Sequence, residues 1–359
     1  MNEPIFIARQ DTLEQEILPA HWLAQYKLFG EESYTFQDKE IWKKLCMSRA
    51  AANDRDMHAE ALEEMQTTFS AEHTGKWMLL VYGTDAAALE GLATMAAIAA
   101  NGTAMGAIVD NALLMHAIAN SETAMQRIAN SQTAMQRVAN NRGAMDAIGR
   151  SRIARDAVQA SPYYNSYIKE NDMAIAKLVV GFANLESARY SGCAGMAADS
   201  TAMTAVAASS TAMTAVAASG VALKAIAQAY KNTANMLQFL KAVNASDTLV
   251  KRIYSTLTGA TGLFGATQLG SQDGVADANS WATTSAAPNA FLACACGYYN
   301  SGGASVDVTY NGTVIAQNKT GTRQPGSVTS TNVNAITMAP STFTENGDGW
   351  LAVQKFTAK

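Results

Sequence analysis

The chain has 359 residues, of which 48% are hydrophobic, and its 26 Lys and Arg against 30 Asp and Glu give a formal net charge of −4. This length predicts two or three domains, and the slightly negative charge argues against nucleic acid or an anionic membrane as the main partner. The 4 cysteines are too sparse for a disulfide framework. We expect neither a signal peptide nor a membrane-spanning segment.

Residues 1–90 predict an N-terminal docking or capping domain of mixed structure. Apolar spacing favours a helix over 35–65. The short apolar run 77–82 is compatible with a strand or with the end of a buried helix. Because a repeat array needs its ends covered, capping is a natural role for this region.

Residues 91–170 form a first repeat array, in which the ten-residue pattern Ala-Met-x-x-Ile-Ala-Asn-Ser-x-Thr recurs. Met and the Ile or Val three positions later share one helix face. A ten-residue period matches neither of the repeats that sustained coiled coils use. Pairs such as Asn130–Ser131 and Asn140–Asn141 favour helix caps. We therefore predict that the helix breaks once per decamer and that the decamers stack into a solenoid. The alternative is a continuous alanine-rich helix wound around partner helices.

A comparison of free energies favours stacking of the decamers. Burial of one Met and one Ile contributes about 3–6 kcal/mol, whereas ordering ten backbone residues costs about 10–20 kcal/mol. A decamer is therefore unstable alone, and its neighbours must cover it. The predicted core of both arrays consists of Met95, Ile98, Met105, Ile108, Met115, Ile118, Met125, Ile128, Met135, Val138, Met145, Ile148, Met203, Val206, Met213, Val216, Leu223 and Ile226.

The second half of the first array is basic. Its arginines form either a solvated face or a rim that contacts an acidic neighbour, and they are Arg127, Arg137, Arg142, Arg150, Arg152 and Arg155. Ser161–Pro162 then indicates the start of a longer helix, since Pro is tolerated in a first helical turn. Apolar spacing extends this helix to about Tyr190.

Residues 171–257 hold the remainder of that helix, the second decamer array and a more ordinary amphipathic helix or helix pair. Ser246–Asp247 indicates a cap between two such helices. Residues 258–280 are rich in Gly, Thr, Ser and Asp, which predicts a linker.

Residues 281–359 predict a small antiparallel β domain, sandwich or barrel-like. Asn311–Gly312 between alternating apolar runs indicates a hairpin, with Val306, Val308 and Tyr310 before the turn and Val314 and Ala316 after it. Further strands are expected over 289–299, 331–338 and 350–356. If 289–299 is a strand, Cys294 and Cys296 lie on the same side of it, a poor arrangement for a mutual disulfide.

Few residue patterns indicate chemistry, and no phosphate-binding loop, zinc-protease motif or nucleophile elbow occurs. Asp54 and His58 could share a metal on a helix, with Glu60 and Glu63 nearby, but a solvated helix face is the plainer interpretation. His21 and His116 are interpreted as packing or surface positions. The methionines could bind copper, although their helical spacing with Ile favours a core. Asp273–Gly274 and 345–349 resemble calcium-loop fragments, yet turns explain them better. We predict no cofactor, no metal site and no catalytic residues.

The short Ala-Met-x-x-Val/Ile-Ala-x-Ser decamers of residues 91–230, between an N-terminal region and a β-rich C-terminal region, resemble fibre or appendage proteins of tailed bacteriophages. The resemblance implies an α+β, multidomain structural protein with a short-helix decamer-repeat solenoid. It implies a virion location, assembly in the host cytoplasm, other virion proteins as partners and a homo-oligomer, most commonly a trimer. The N-terminal region would dock to the virion, and the C-terminal β domain would face a host receptor, a glycan or the next fibre protein.

Three alternatives remain open on the sequence: a capsid decoration protein, a glycan-binding adhesin module, and an enzyme acting on cell-envelope polymers. A secretion signal would favour the adhesin, and a pair of acid–base carboxylates would favour the enzyme. The expectation that the chain is not an enzyme and does not enter membranes follows from the same observations.

Overall fold

The computed structural model describes residues 95–110, 112–229, 233–273, 280–283, 289–298, 303–321, 327–347 and 349–359. Within these ranges the fold is mixed α+β, as predicted, with short helices followed by two antiparallel sheets. A boundary after Ile168 separates the described residues into two compact units. The expected N-terminal domain over 1–90, with its helix, its apolar run and His21, lies outside the described residues.

The first unit contains one short helix per decamer. The helices are α1 (Met95–Ala100), α2 (Gly102–Val109), α3 (Ala112–Ala119), α4 (Glu122–Ala129), α5 (Gln132–Ala139), α6 (Arg142–Arg150), α7 (Arg152–Ala160) and the single turn α8 (Tyr164–Tyr167). The alternative of one continuous helix is therefore wrong.

Each helix ends because one corner residue leaves the helical region of backbone space. Ser121, Ser131 and Asn141 have φ between −101° and −109° and ψ between 112° and 122°, which is extended backbone. The side chain of each accepts a hydrogen bond from the backbone N–H three residues later. This capping satisfies a donor at the start of the next helix, so that the corner both stops one helix and starts another.

Consecutive helices touch, but each also packs against the third helix after it. In the first unit α1 contacts α4, α2 contacts α5, α3 contacts α6 and α4 contacts α7. The second unit repeats this arrangement with α9 (Asp172–Phe182), α10 (Cys193–Ala198), α11 (Ser200–Ala208), α12 (Ser210–Ala218), α13 (Gly220–Gln228), α14 (Thr233–Asn244) and α15 (Asp247–Gly259). There α9 contacts α12, α10 contacts α13, α11 contacts α14 and α12 contacts α15.

The corner between α11 and α12 bends the chain by 104°. Among the described residues no single helix has the length and hydropathy to cross a membrane, and α11 with α12 reaches that length only as this bent pair.

The long helix predicted from Ser161 to about Tyr190 is wrong. The chain instead forms α8, then α9, then a 3-10 turn at Ser187–Arg189. Asn171 is extended and accepts a hydrogen bond from the Ala174 N–H, so it caps a new helix where continuation was expected. After α9, Asn184 has φ 56°, a left-handed conformation that ends the helix.

The two sheets have four strands each. The strands are β1 (Phe264–Asp273), β2 (Ser280–Thr283), β3 (Ala290–Tyr298), β4 (Ala304–Tyr310), β5 (Thr313–Thr320), β6 (Ala335–Met338), β7 (Ser341–Gly347) and β8 (Gly349–Ala358). The first sheet has the order β1-β8-β3-β6 and the second the order β2-β7-β4-β5. β3 contacts β4 across the two sheets. The predicted linker over 258–280 is wrong for 264–273, because β1 pairs along its length with β8.

The hairpin at Asn311–Gly312 is confirmed. Both turn residues have positive φ, 48° and 77°, which suits the right-handed twist of the flanking strands. Val306, Val308 and Tyr310 are buried as predicted, but Val314 is 49% exposed. Register shifts in the β4–β5 pairing break the alternation on β5, so Ile315 is buried in place of Val314, whereas Ala316 is buried.

Helices of the second unit cover the outer face of the first sheet. Phe239 of α14 contacts Phe291 of β3, and Tyr254 of α15 meets Phe356 of β8 edge-on. With the second sheet on its other side, β3 is buried on both faces from Ala290 to Gly297. A strand buried on both faces has a continuous apolar run, which is why 290–296 shows no alternation in the sequence.

Candidate functional site

The corners of the first unit carry the most regular polar contacts of the described residues. Ser131, Ser151 and Ser161 each donate a hydrogen bond from Oγ to the backbone carbonyl 32 residues earlier. The acceptors are Ala99, Ala119 and Ala129, each at or beside the C-terminal end of a helix. We call this contact a corner staple. It satisfies a carbonyl that a helix end leaves without an intrahelical partner.

One serine hydroxyl serves two helices at once. Ser151 Oγ accepts from the Ala154 N–H at 3.3 Å and donates to the Ala119 carbonyl. It therefore caps α7 and fastens α7 to the end of α3. Ser151 is 6% exposed, so water does not readily replace either bond.

Asn141 performs the same task with two separate atoms. Its Oδ1 accepts from the Ala144 N–H at 2.9 Å, and its Nδ2 donates to Asp110 Oδ1 at 3.0 Å. The partner lies 31 residues earlier and is a side chain instead of a backbone carbonyl. Asn141 thus bonds to a side chain, whereas the serine corners bond to backbone carbonyls.

The second unit contains related contacts. Ser209 Oγ donates to the Phe182 carbonyl at 3.0 Å and caps α12 through the Ala212 N–H at 3.2 Å. The Glu170 carboxylate accepts from the N–H groups of Gly220 and Val221 at 3.2 and 3.1 Å, at the start of α13. A Cβ on Gly220 would lie 3.0 Å from both the Ala260 Cβ and the Leu263 Cδ1, so a larger residue here would have to displace these side chains slightly.

All residues of the predicted repeat core are buried. Each residue of that predicted core, from Met95 to Ile226, is exposed by 1% or less. The helical spacing of the methionines therefore places them among apolar neighbours.

Arg155 departs from the sequence interpretation. It was grouped with a solvated or rim face, and the other five arginines of that group are exposed. Arg155 is only 8% exposed, because it follows Met145 by ten residues and takes the methionine position of its decamer. Its Nη1 donates to the Gly149 carbonyl at 2.7 Å, and burial lowers the pKa of its guanidinium. Counting ten residues on from Met145 would have predicted the burial of Arg155 from the sequence alone.

The cysteines of β3 are free and buried. Cys294 and Cys296 occupy alternate positions of one strand, as predicted. Burial raises the pKa of the Cys296 thiol to about 12, and the nearby Glu345 carboxylate adds to that shift. Neither thiol is therefore activated as a nucleophile at neutral pH.

Parts of the two calcium-like fragments lie in strands, where the sequence favoured turns. Asp273 ends β1, and Glu345, which is 1% exposed, lies in β7. Gly274 and Asp348 of these fragments lie outside the described residues. In the described residues no group of three or more His, Cys, Asp or Glu side chains could hold a metal ion. Asp54, His58, Glu60 and Glu63 lie outside them, whereas His116 is half-buried on α3.

One open groove of about 420 Å³ lies between α4 and α7 in the first unit, where Glu122, Ile153 and Asp156 are among its lining residues. Ile153 is 41% exposed there. A second groove of about 730 Å³ lies in the second unit between the start of α13 and the end of α15. Lys169, Arg252, Ser255 and Thr261 line it together with Glu170. It combines positive side chains with hydroxyl groups.

A scan against protein-family models and a search of curated proteins both find no match for this chain.

Proposed function

We propose that the helices of residues 95–168 wind as a three-sided solenoid with one decamer on each side. Two observations support this winding. Each helix packs on the third helix after it. The corner staples connect residues 32 apart, and the hydrogen bond of Asn141 to Asp110 connects residues 31 apart. Adjacent packed helices lie about 8–10 Å apart, so one turn of three decamers advances by about that distance. The array is then a short, thick rod, unlike a continuous helix that rises about 1.5 Å per residue.

We further propose that the protein is a structural component of a tailed-phage virion, a fibre or adaptor protein. The repeats would fix the spacing between a virion-docking N-terminal region and the C-terminal sheets, which serve host attachment or fibre assembly. The observation that carries this proposal is the corner staple, because it joins successive turns through hydrogen bonds, of which those of Ser151 and Ser161 are buried, and so stiffens the array. The small advance per turn favours a compact adaptor over a long shaft.

Labelling intact particles tests this role. Immunogold electron microscopy with antibodies against residues 281–359 is expected to mark one fixed site on the virion, and mass spectrometry of purified particles is expected to detect the chain. Light scattering of the purified protein measures its oligomeric state, for which we expect a trimer. Labelling over the whole head would support a capsid decoration protein instead. Absence of the chain from particles would refute the virion role.

The groove beside Arg252 favours one second candidate, a glycan-binding module. Arg252 supplies positive charge, and Ser255 and Thr261 supply hydroxyls, a combination suited to an acidic sugar. The ammonium group of Lys169 lies 3.8 Å from the Glu170 carboxylate, so its charge is already paired. Binding to an array of acidic and neutral glycans, compared between the wild-type protein and Arg252→Ala, tests it. Equal binding by both proteins, or no binding by either, would rule this groove out.

A further inference from the structure

The groove between α4 and α7 has a counterpart between α2 and α5, which shows how the repeat fills such a space. In both pairs a helix contacts the third helix after it. A Cβ placed on Gly102, the first residue of α2, would lie 3.7 Å from Nη2 of Arg137 and 3.7 Å from Cγ2 of Thr133. The guanidinium group of α5 therefore lies over the start of α2, with a methyl group beside it.

The equivalent positions of the α4–α7 groove follow twenty residues later, because two decamers separate the pairs. Gly102 corresponds to Glu122, Thr133 to Ile153 and Arg137 to Ala157. The three later residues all line the groove of about 420 Å³. An alanine thus stands where the other pair has its arginine, and a carboxylate stands where the other pair has no side chain.

These differences make the groove suitable for an arginine side chain supplied from outside. Ile153, which is 41% exposed, and Ala157 offer apolar surface to the methylene stem of such a side chain. The exposed Glu122 carboxylate accepts one hydrogen bond, from Gln126 Nε2 at 3.1 Å. A carboxylate has about four lone-pair sites, so it can also accept from a guanidinium group. Asp156 adds a second negative charge to the lining.

We propose that an arginine of a second copy of this chain occupies the α4–α7 groove and binds Glu122. In the first unit, exposed arginines are found at positions 127, 137, 142, 150 and 152. Arg127 and Arg137 share the decamer position that fills a groove of their own chain, and Arg152 lies 3.6 Å from Asp156. The proposed donor is therefore Arg142 or Arg150, which are the two ends of α6.

The groove and the ends of α6 are different surfaces of one copy, so the contact is heterologous and can close a ring of three. The inference rests on the homo-oligomer expected under the proposed function, and it does not depend on a virion location.

Ala157→Arg tests the inference, because it returns to this groove the arginine that α5 supplies to its counterpart. The new side chain fills the groove and pairs with Glu122 of its own chain. Sedimentation equilibrium is expected to show that the oligomer dissociates at a concentration at least about tenfold higher than in the wild type. Ser166→Arg is the matched control, since it adds the same charge at an exposed position of α8 that does not line the groove. We expect it to dissociate as the wild type does.

Two further variants separate the carboxylate from its partner. Glu122→Gln removes the charge without filling the groove, and it decides the question if Ala157→Arg does not fold. The double variant Arg142→Gln, Arg150→Gln removes the proposed donors. Both are expected to weaken the oligomer, and added salt should weaken the wild-type oligomer more than it weakens either variant, because the lost contact is an ion pair.

Wild-type dissociation of Ala157→Arg or of Glu122→Gln, in folded protein, would overturn the inference. A wild-type chain that stays monomeric at every concentration would overturn it as well. Particle labelling is a separate measurement: a chain missing from particles would refute the virion role and leave the assembly result standing.

Discussion

The double use of the Ser151 hydroxyl makes Ser151→Ala the most informative substitution. It removes the cap of α7 and the staple to Ala119 together, while the change in side-chain volume is small. Loss of a serine cap costs about 1 kcal/mol, and leaving a buried carbonyl without its donor costs about 1–3 kcal/mol. We therefore expect the free energy of unfolding to fall by about 2–4 kcal/mol.

Equilibrium unfolding in urea, followed by far-UV circular dichroism, measures this loss. Because the described residues form two units, each transition is fitted separately. Ser166→Ala is the matched control, since Ser166 is an exposed residue of α8 in the same unit as Ser151, and we expect it to change stability by less than about 0.5 kcal/mol. Faster hydrogen exchange at the Ala154 amide is expected only in Ser151→Ala. A loss no larger than that of the control would show that the staple does not stabilise the array.

Three further outcomes are expected. Gly220→Ala should lower the melting temperature, because its Cβ would press on Ala260 and Leu263 side chains, whereas Gly195→Ala, with open space around it, should raise it slightly; equal effects would contradict this. In Cys46→Ser protein, a thiol reagent at pH 8 should label none of the three remaining cysteines until denaturant is added, since all are buried with a raised pKa. The hydrogen bond from Tyr190 lowers the pKa of Asp199, so this carboxylate stabilises the fold above its unfolded pKa near 3.8 and loses that effect as pH falls through its lower folded value. Burial, together with the same hydrogen bond, raises the pKa of Tyr190 to about 12, so stability should also fall between pH 10 and 12. Melting curves of Asp199→Asn should lack the acid component, and an unchanged acid profile would contradict the assignment.

The sequence predicted local structure better than connections between elements. Each Asn or Ser corner was predictable, because capping depends on residues within one turn of the chain. The hairpin at Asn311–Gly312 was predictable for the same reason, since its turn residues alone select the conformation. Both signals are local and chemically specific.

The errors concern residues whose conformation depends on distant partners. Residues 264–273 lie in a longer stretch rich in Gly, Thr, Ser and Asp, which is typical of a linker, yet pairing with β8 makes them a strand. The hydrogen bonds of Asn244 give another example: its side chain donates to the Ile336 carbonyl and accepts from the Ile336 N–H, 92 residues away. Asn244 thereby occupies the free edge of β6, a role that no local pattern reveals.

The candidate site shows the same difference between what local sequence predicts and what depends on distant partners. The burial of Met and Ile positions follows from their spacing, but the staples depend on which helices become neighbours after three corners. That number is set by the angle at each corner and by the packing distance between helices, neither of which the decamer encodes by itself.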